Sequence, residues 1–340
     1  MSRRGERPST EILATLPVAV DAMGGDKAPG DIVEGARRVS ADDGVPVVLV
    51  GPPELVGDTM GLDLVPCTEV IAMDEDPAGG VRRKKDSSLV RAAELVRDGK
   101  ASAMVSAGNT GATMASALLR MGRLPGVVRP CIATPLPRLG RTPTVLVDAG
   151  ANSECTPAML VQFAQMASVF ATERYGSVDP TTALLSIGEE PSKGTALVKE
   201  THALLAAGVP GVRFIGNVEG RDLLGCPADV IVADGFTGNV ALKTAEGSLR
   251  FAMRLVLDVL NHDEATKAAG DVLLPYLLAA AAELDPENTG GAMLLGVDGV
   301  CVISHGSSSA VAIANALHVA HDLAGSDLSS RLAGLIAAAD

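Results

Sequence analysis

Short aliphatic and β-branched runs alternate along this chain with longer stretches rich in Ala and Leu. Runs at 16–22 (LPVAVDA), 46–51 (PVVLVG), 103–108 (AMVSAG), 144–150 (TVLVDAG), 182–188 (TALLSIG), 212–217 (VRFIGN), 229–235 (DVIVADG) and 300–306 (VCVISHG) each close on or beside Gly, Asp or Asn. Continuous apolar runs, rather than alternating ones, predict strands buried on both faces, as in a mostly parallel sheet. Segments 88–100, 157–176 and 193–208 carry helical spacing, and the last two stop at Gly. Strand–helix alternation of this kind predicts a doubly wound α/β fold. Residues 16–325 read as one such domain, preceded by a tail over 1–15 and followed by a helix over 326–340.

The rhythm breaks between 237 and 285, where no strand pattern occurs and two long helical patterns follow each other. Within SLRFAMRLVLDVL, the polar residues Arg250, Arg254 and Asp258 recur every four positions, and nearly everything else is apolar. The apolar runs are too short to cross a bilayer, which takes about 20 residues. A helix this apolar has to be covered: by the protein's own core, by a second subunit, or by a membrane interface.

Composition narrows the class. Of 340 residues, 47% are hydrophobic and 20% charged, which excludes a disordered chain. Aromatics are 2%, with no Trp, and the net charge is −13. Both features argue against nucleic-acid binding, since stacking platforms are scarce and phosphates are repelled. Five Cys stand at 67, 131, 155, 226 and 301 without a C-x-x-C, which predicts reduced thiols in a cytosolic protein, not a zinc site or disulfide framework. Residues 1–15 begin basic but lack the apolar core of a signal peptide.

Chemistry concentrates where the strands end. Seven turns are rich in Gly, Asn, Asp, Ser and Thr: 21–26 (DAMGGD), 106–111 (SAGNTG), 148–152 (DAGAN), 188–194 (GEEPSKG), 216–221 (GNVEGR), 234–239 (DGFTGN) and 304–308 (SHGSS). Open α/β sheets bind ligands at the carboxyl ends of their strands, and turns leading into helices present N–H groups to anions. All seven turns at one edge would form a large polar cleft suited to phosphate. Each alone is equally explained by turn geometry and helix capping. No G-x-x-x-x-G-K-[ST], no G-x-G-x-x-G after the first strand and no G-x-S-x-G occur. His318 and His321 form the one close His pair and do not make a metal site.

Long segments built around these turns resemble one family. They are 18–36 (VAVDAMGGDKAPGDIVEGA), 82–115, 145–164, 187–200, 214–224, 228–247 and 290–317 (GGAMLLGVDGVCVISHGSSSAVAIANAL). Their order and wording are similar to the phosphate acyltransferases of bacterial phospholipid synthesis, the acyl-ACP:phosphate transacylases, from about residue 16 to 325. The resemblance implies a Rossmann-like fold akin to phosphate acetyltransferases and isocitrate dehydrogenases. It implies transfer of a long-chain acyl group from acyl carrier protein to inorganic phosphate, with no cofactor and no metal. The acyl phosphate product would feed a glycerol-3-phosphate acyltransferase. It further implies a homodimer and peripheral contact with the inner membrane face through 237–285.

Candidate residues follow. Lys193, at the start of a helix after a Gly-rich turn, is a point charge for phosphate. Asn239 is a candidate catalytic donor to phosphate or the oxyanion, or else a helix cap, and His305 is a candidate donor to the carbonyl or the leaving thiolate, or else a structural partner of a loop carbonyl. Asp21, Gly24, Gly25, Asn109, Thr110, Asn152, Asn217, Thr237, Gly238, Lys243 and Ser307 are expected to line the substrate site. Asp21, Asp26, Asp148 and Asp234 would repel phosphate if bare, so they are expected to orient backbone. Cys155 is expected to be structural. Two basic clusters, 82–85 (RRKK) and Arg120, Arg123, Arg129, Arg138 and Arg141, are candidate docking patches for an acidic carrier. Other readings are a short-chain acyl-CoA phosphotransacylase, an NAD-dependent decarboxylating dehydrogenase and a non-catalytic membrane scaffold.

Overall fold

The computed structural model describes residues 9–225 and 228–337. Cys226 lies outside the described residues, as does the chain before Ser9. Among the described residues eleven strands form one sheet. They are β1 (Val18–Asp21), β2 (Val47–Gly51), β3 (Asp63–Pro66), β4 (Ala103–Ser106), β5 (Cys131–Arg138), β6 (Arg141–Val147), β7 (Thr181–Ser186), β8 (Arg213–Glu219), β9 (Val230–Val232), β10 (Ala292–Leu295) and β11 (Val300–Ile303). All eight apolar runs are strands. The other three, β3, β5 and β10, had no clear signal: β3 and β10 are short, and β5 contains Pro135 and Pro137. Proline cannot donate to a ladder. Here β10 pairs only with the first residues of β5, Cys131 to Ala133, so the proline half needs no partner on that side.

The helices are α1 (Thr10–Leu13), α2 (Gly30–Asp42), α3 (Pro53–Val56), α4 (Pro77–Arg83), α5 (Ser88–Arg97), α6 (Thr110–Arg120), α7 (Pro157–Tyr175), α8 (Ala196–Ala206), α9 (Gly235–Leu260), α10 (Glu264–Glu283), α11 (Ala310–Ala324) and α12 (Leu328–Ala337). Both faces of the sheet are covered. Val18 and Val20 of β1 pack in one core with Ile32, Phe163, Ile313 and Leu332, while Ala19 packs in the other with Leu89, Val90 and Met121. Adjacent strand residues therefore feed opposite cores, which is why the runs are continuously apolar.

The sheet order is β3-β2-β1-β4-β11-β10-β5-β6-β9-β7-β8. β1, β2, β3, β4 and β11 are parallel. So are β6, β7, β8 and β9. Between the two sets, β10 is antiparallel to both β11 and β5, and β5 is antiparallel to β6. Three reversals leave the two sets running in opposite directions. The seven polar turns therefore do not share one edge. Those after β1, β4 and β11 leave one edge, and those after β6, β7, β8 and β9 leave the other. This corrects the single-cleft expectation, which assumed uniform strand direction.

The 237–285 segment is two helices, as its pattern predicts, and it is not internal core. Only Gly235, Gly238 and Leu242 of α9 and Gly270 of α10 are buried. Phe251, Leu255, Val259, Val272 and Tyr276 stand exposed. Among the described residues no helix is long and apolar enough to cross a membrane.

The first turn of α9 is pressed against the loop after β6. A Cβ on Gly238 would lie 2.0 Å from the Asp148 carbonyl oxygen. Gly238→Ala therefore forces α9 off that loop and is expected to destabilise the fold by about 1–3 kcal/mol, lowering Tm by several degrees. Gly247→Ala, in the same helix with nothing within 4 Å of its Cβ, is expected to be neutral or to gain up to about 1 kcal/mol. Thermal melts of the two variants check this.

Candidate active site

Asp148 organises the edge formed by β6, β7, β8 and β9. Its side chain is fully buried. Oδ1 accepts the N–H of Ile132 at 2.9 Å and of Ala151 at 3.0 Å. Oδ2 accepts the Asn152 backbone N–H at 2.7 Å and its Nδ2 at 2.9 Å. Burial pushes the carboxyl above its usual range, while these donors pull it down. Asn152 also donates Nδ2 to the Pro130 carbonyl, which ties the turn to the start of β5.

Helix α9 begins on this turn. Gly235 N–H donates to the Asn152 carbonyl at 2.8 Å, and a Cβ on Gly235 would meet that oxygen at 2.5 Å. Asp234 caps the helix, accepting Thr237 N–H and Oγ1–H at 2.9 and 2.7 Å. Thr237 is thereby engaged with its cap. Asn239 is exposed, and its side chain lies over Gly150, whose φ is +128° and whose Cβ position is 3.4 Å from Asn239 Cγ. Among the described residues the Asn239 amide has no protein partner. Lys243, a turn further on, is held by Glu246 at 3.0 Å.

The adjacent strand ends supply a cation. Lys193 is exposed, its N–H donates to the Glu190 carbonyl at 3.0 Å, and its side chain lies against Gly188. Its ammonium has no partner among the described residues. Lys193 precedes α8 rather than opening it, because Thr195 is the cap and accepts Val198 N–H. Asn217, 8% exposed, braces the loop: Nδ2 donates to the Glu190 carbonyl at 3.1 Å, and Oδ1 lies 2.9 Å from His202 Nδ1. Since Oδ1 can only accept, His202 donates from Nδ1. Sequence reasoning missed His202, which looks like any polar residue in a helix. It also missed Ser186, whose buried Oγ sits under Gly194 with no hydrogen-bond partner among the described residues.

Helices α7, α8 and α9 all start at this edge, after β6, β7 and β9. Their N-terminal ends, Lys193 and the Asn239 amide, which has no partner among the described residues, all lie along this edge, at the 148–152, 188–194 and 234–239 turns. That arrangement favours an oxyanion.

The remaining candidates occupy the opposite edge. Asp21 is 2% exposed; it accepts Ser106 Oγ–H at 2.8 Å and Met23 N–H at 3.2 Å. Burial pushes its carboxyl up. Gly24 is required by packing, as its Cβ would lie 2.6 Å from Asp21 Oδ2 and 2.7 Å from Gly108 N. Gly25, at φ +109°, passes Gly306. Asn109 caps α6 through Ala112 N–H and donates Nδ2 to the carbonyls of Met73 and Glu75. Thr110, His305 and Ser307 are exposed. Ser307 N–H and Oγ both approach His305 Nδ1, at 3.2 and 2.7 Å, so Nδ1 accepts and the ring proton is on Nε2.

No described thiol is poised as a nucleophile. Burial pushes Cys155 and Cys67 up to about 11 and Cys301 up to about 12. The five arginines between 120 and 141 are not one patch. Arg120 pairs with Glu94, Arg123 donates to the Val127 and Val128 carbonyls, and Arg138 is buried against Asp229. Arg129 and Arg141 remain exposed. In the other cluster Arg83 and Lys84 pair with Glu75, while Arg82 and Lys85 are exposed.

Comparison with known proteins follows this geometry. The profile of a family described as fatty acid synthesis protein matches residues 16–331. The phosphate acyltransferase of Heliobacterium modesticaldum is 47% identical over 90% of this chain and 93% of its own. That of a Nostoc species is 44% identical over 90% and 92%. Among solved structures, a phosphotransacetylase from Streptococcus pyogenes superposes with a TM-score of 0.63 at 17% identity, covering 93% of this chain and 96% of its own. A branched-chain phosphotransacylase from Enterococcus faecalis gives 0.59 at 16%, covering 90% and 99%. At such identities the superpositions show the shared Rossmann-like fold alone. Matched from residue 16 to residue 331 and 44–47% identical to these relatives over nearly its whole length, the chain belongs to the fatty acid synthesis protein family.

Proposed function

We propose that the protein transfers a fatty acyl group from a thioester to inorganic phosphate, giving an acyl phosphate for phospholipid synthesis. The observation that carries this reading is that two donors without a partner among the described residues, Lys193 and Asn239, follow neighbouring parallel strands, β7 and β9, at the edge where α7, α8 and α9 begin. The names of the relatives supply the reaction class. A substantial fraction of phosphate near neutral pH is the dianion, which attacks the thioester carbonyl directly. The thiol has a pKa of about 8.5, so it departs as a thiolate without a strong acid. The protein's task is to hold the two reactants together, worth about 7–11 kcal/mol, and to stabilise the tetrahedral oxyanion, worth about 3–4 kcal/mol per donor. Lys193 holds phosphate and the Asn239 amide faces the oxyanion. Asn217, through the Glu190 carbonyl, fixes the Lys193 loop. No acyl-enzyme forms, in keeping with thiols whose pKa values burial has raised. His305 and Ser307, on the far edge, stay outside this centre.

The donor is acyl carrier protein. Arg82 and Lys85 beside Arg83 and Lys84, or Arg129 near the site, offer local positive charge for an acidic carrier on a chain of net charge −13. A glycerol-3-phosphate acyltransferase consumes the product. The exposed apolar faces of α9 and α10 support a homodimer and contact with the inner membrane face. The short-chain acyl-CoA reaction is the alternative, and chain-length assays with both donors separate the two.

Purified protein with acyl carrier thioester and phosphate is expected to yield hydroxylamine-trappable acyl phosphate. Lys193→Ala is expected to raise the phosphate KM or abolish turnover, and Asn239→Ala to lower kcat about 100- to 1,000-fold. His305→Ala is expected to cost less than about tenfold; a loss as large as that of Asn239→Ala would move the reaction to the other edge. Cys155→Ala is expected to leave kcat/KM within about twofold, whereas a stable thioester trapped on Cys155 would overturn direct attack by phosphate.

A further inference from the structure

Beside the Asp148 turn, on the sheet face covered by α6, lies a cavity of about 200 Å³. One wall is the exposed side of α6: Gly111, Met114, Ala115 and Leu118. These positions are spaced as one helical face and run along about 10 Å of axis. Ala151, Pro130 and Leu294 of β10 complete its apolar lining. Only Asn152 and Arg129 bring polar side chains to it. The opposing face of α6 buries Ala112, Thr113, Ser116 and Ala117. Met114, Ala115 and Leu118 remain half-buried, so this apolar face is incompletely covered by the chain itself.

We infer that this groove binds the acyl chain of the thioester donor, and that Met114, Ala115 and Leu118 set chain-length preference. This rests on the acyl-transfer reading above. Three observations single out an alkyl chain as occupant. The groove is lined almost wholly by aliphatic side chains. Asn152 lines it, and the turn of Asn152 carries Gly150 against Asn239, so a chain entering from that side keeps its carbonyl at the polar edge. Arg129 is exposed at the rim, and among the described residues no carboxylate pairs with it, so it complements an anionic head group rather than a second apolar surface. The groove also explains why a polar edge suited to phosphate accepts a lipid: the chain leaves that edge across the sheet face, over β10, between the two halves.

The test compares palmitoyl and octanoyl thioesters of acyl carrier protein. Ala115→Leu fills the groove, and Leu118→Gln keeps its volume while making the wall polar. Each is expected to lower the palmitoyl-to-octanoyl ratio of kcat/KM by about tenfold or more, since one methylene in an apolar pocket is worth tenfold upward. Leu119→Gln, on the solvent side of α6 at 53% exposure, is expected to leave the ratio unchanged. Circular dichroism and melting confirm folding, and Leu118→Gln preserves the test if Ala115→Leu does not fold. Folded variants of both groove residues with the wild-type ratio would overturn the groove. Failure of the wild-type protein to form acyl phosphate from either donor would instead overturn the acyl-transfer reading.

Discussion

The carboxylate of Asp148 accepts four hydrogen bonds from N–H groups, spending both oxygens on the protein itself. Hydrogen bonds to a charged group each contribute about 1.5–3 kcal/mol, and removing such a hub would orphan several buried donors together. Through Ile132 it fixes the antiparallel β5–β6 pair, and through Asn152 it fixes the loop that receives α9. Gly235 and Gly238 then let the first turn of α9 touch that loop without a Cβ between. The placement of Asn239 over Gly150 is a consequence. A donor on a helix is only as well aimed as the surface the helix rests on, and here that surface is built around one buried acid.

The same economy explains why so many acids stand near a site for an anion. Asp148 is filled by donors from its own turn and from β5, and Asp234 by Thr237, so both shape backbone and present little unpaired negative charge outward. Helix starts and Lys193 then supply local positive charge, against a global charge that repels phosphate. The Lys193 ammonium has no partner among the described residues, whereas Lys243, close to Asn239 in sequence, is tied to Glu246. The cavity beside α6 adds an apolar surface next to the Asp148 turn.

Much was legible in the residues. Eight strands announced themselves because strands buried on both faces must be continuously apolar. The helical excursion was visible as a long break in the strand rhythm, and the turns that hold Asp148, Lys193 and Asn239 were visible as Gly- and Asn-rich strand ends. The brace of Lys193 by Asn217 and His202 was not legible: it joins a strand end, a loop and a helix face, and no local pattern encodes that meeting. The arginines between 120 and 141 looked like one patch, and the fold sends Arg138 inward and Arg120 to Glu94, because neighbours in sequence need not share a surface.

The sequence by itself determined the class of fold, the positions of the polar turns and the resemblance that names the chemistry, since these depend on local composition and spacing. Only the tertiary structure decided which turns belong together. Strand direction across the sheet depends on the pairing of β10 with β11 and β5, and those partners are far apart in the chain except where a hairpin joins them. Two of the interposed strands carry almost no signal of their own, being short or proline-bearing. Their antiparallel pairing turns one apparent cleft into two opposed edges and leaves Lys193 and Asn239 on one of them, with His305 on the other.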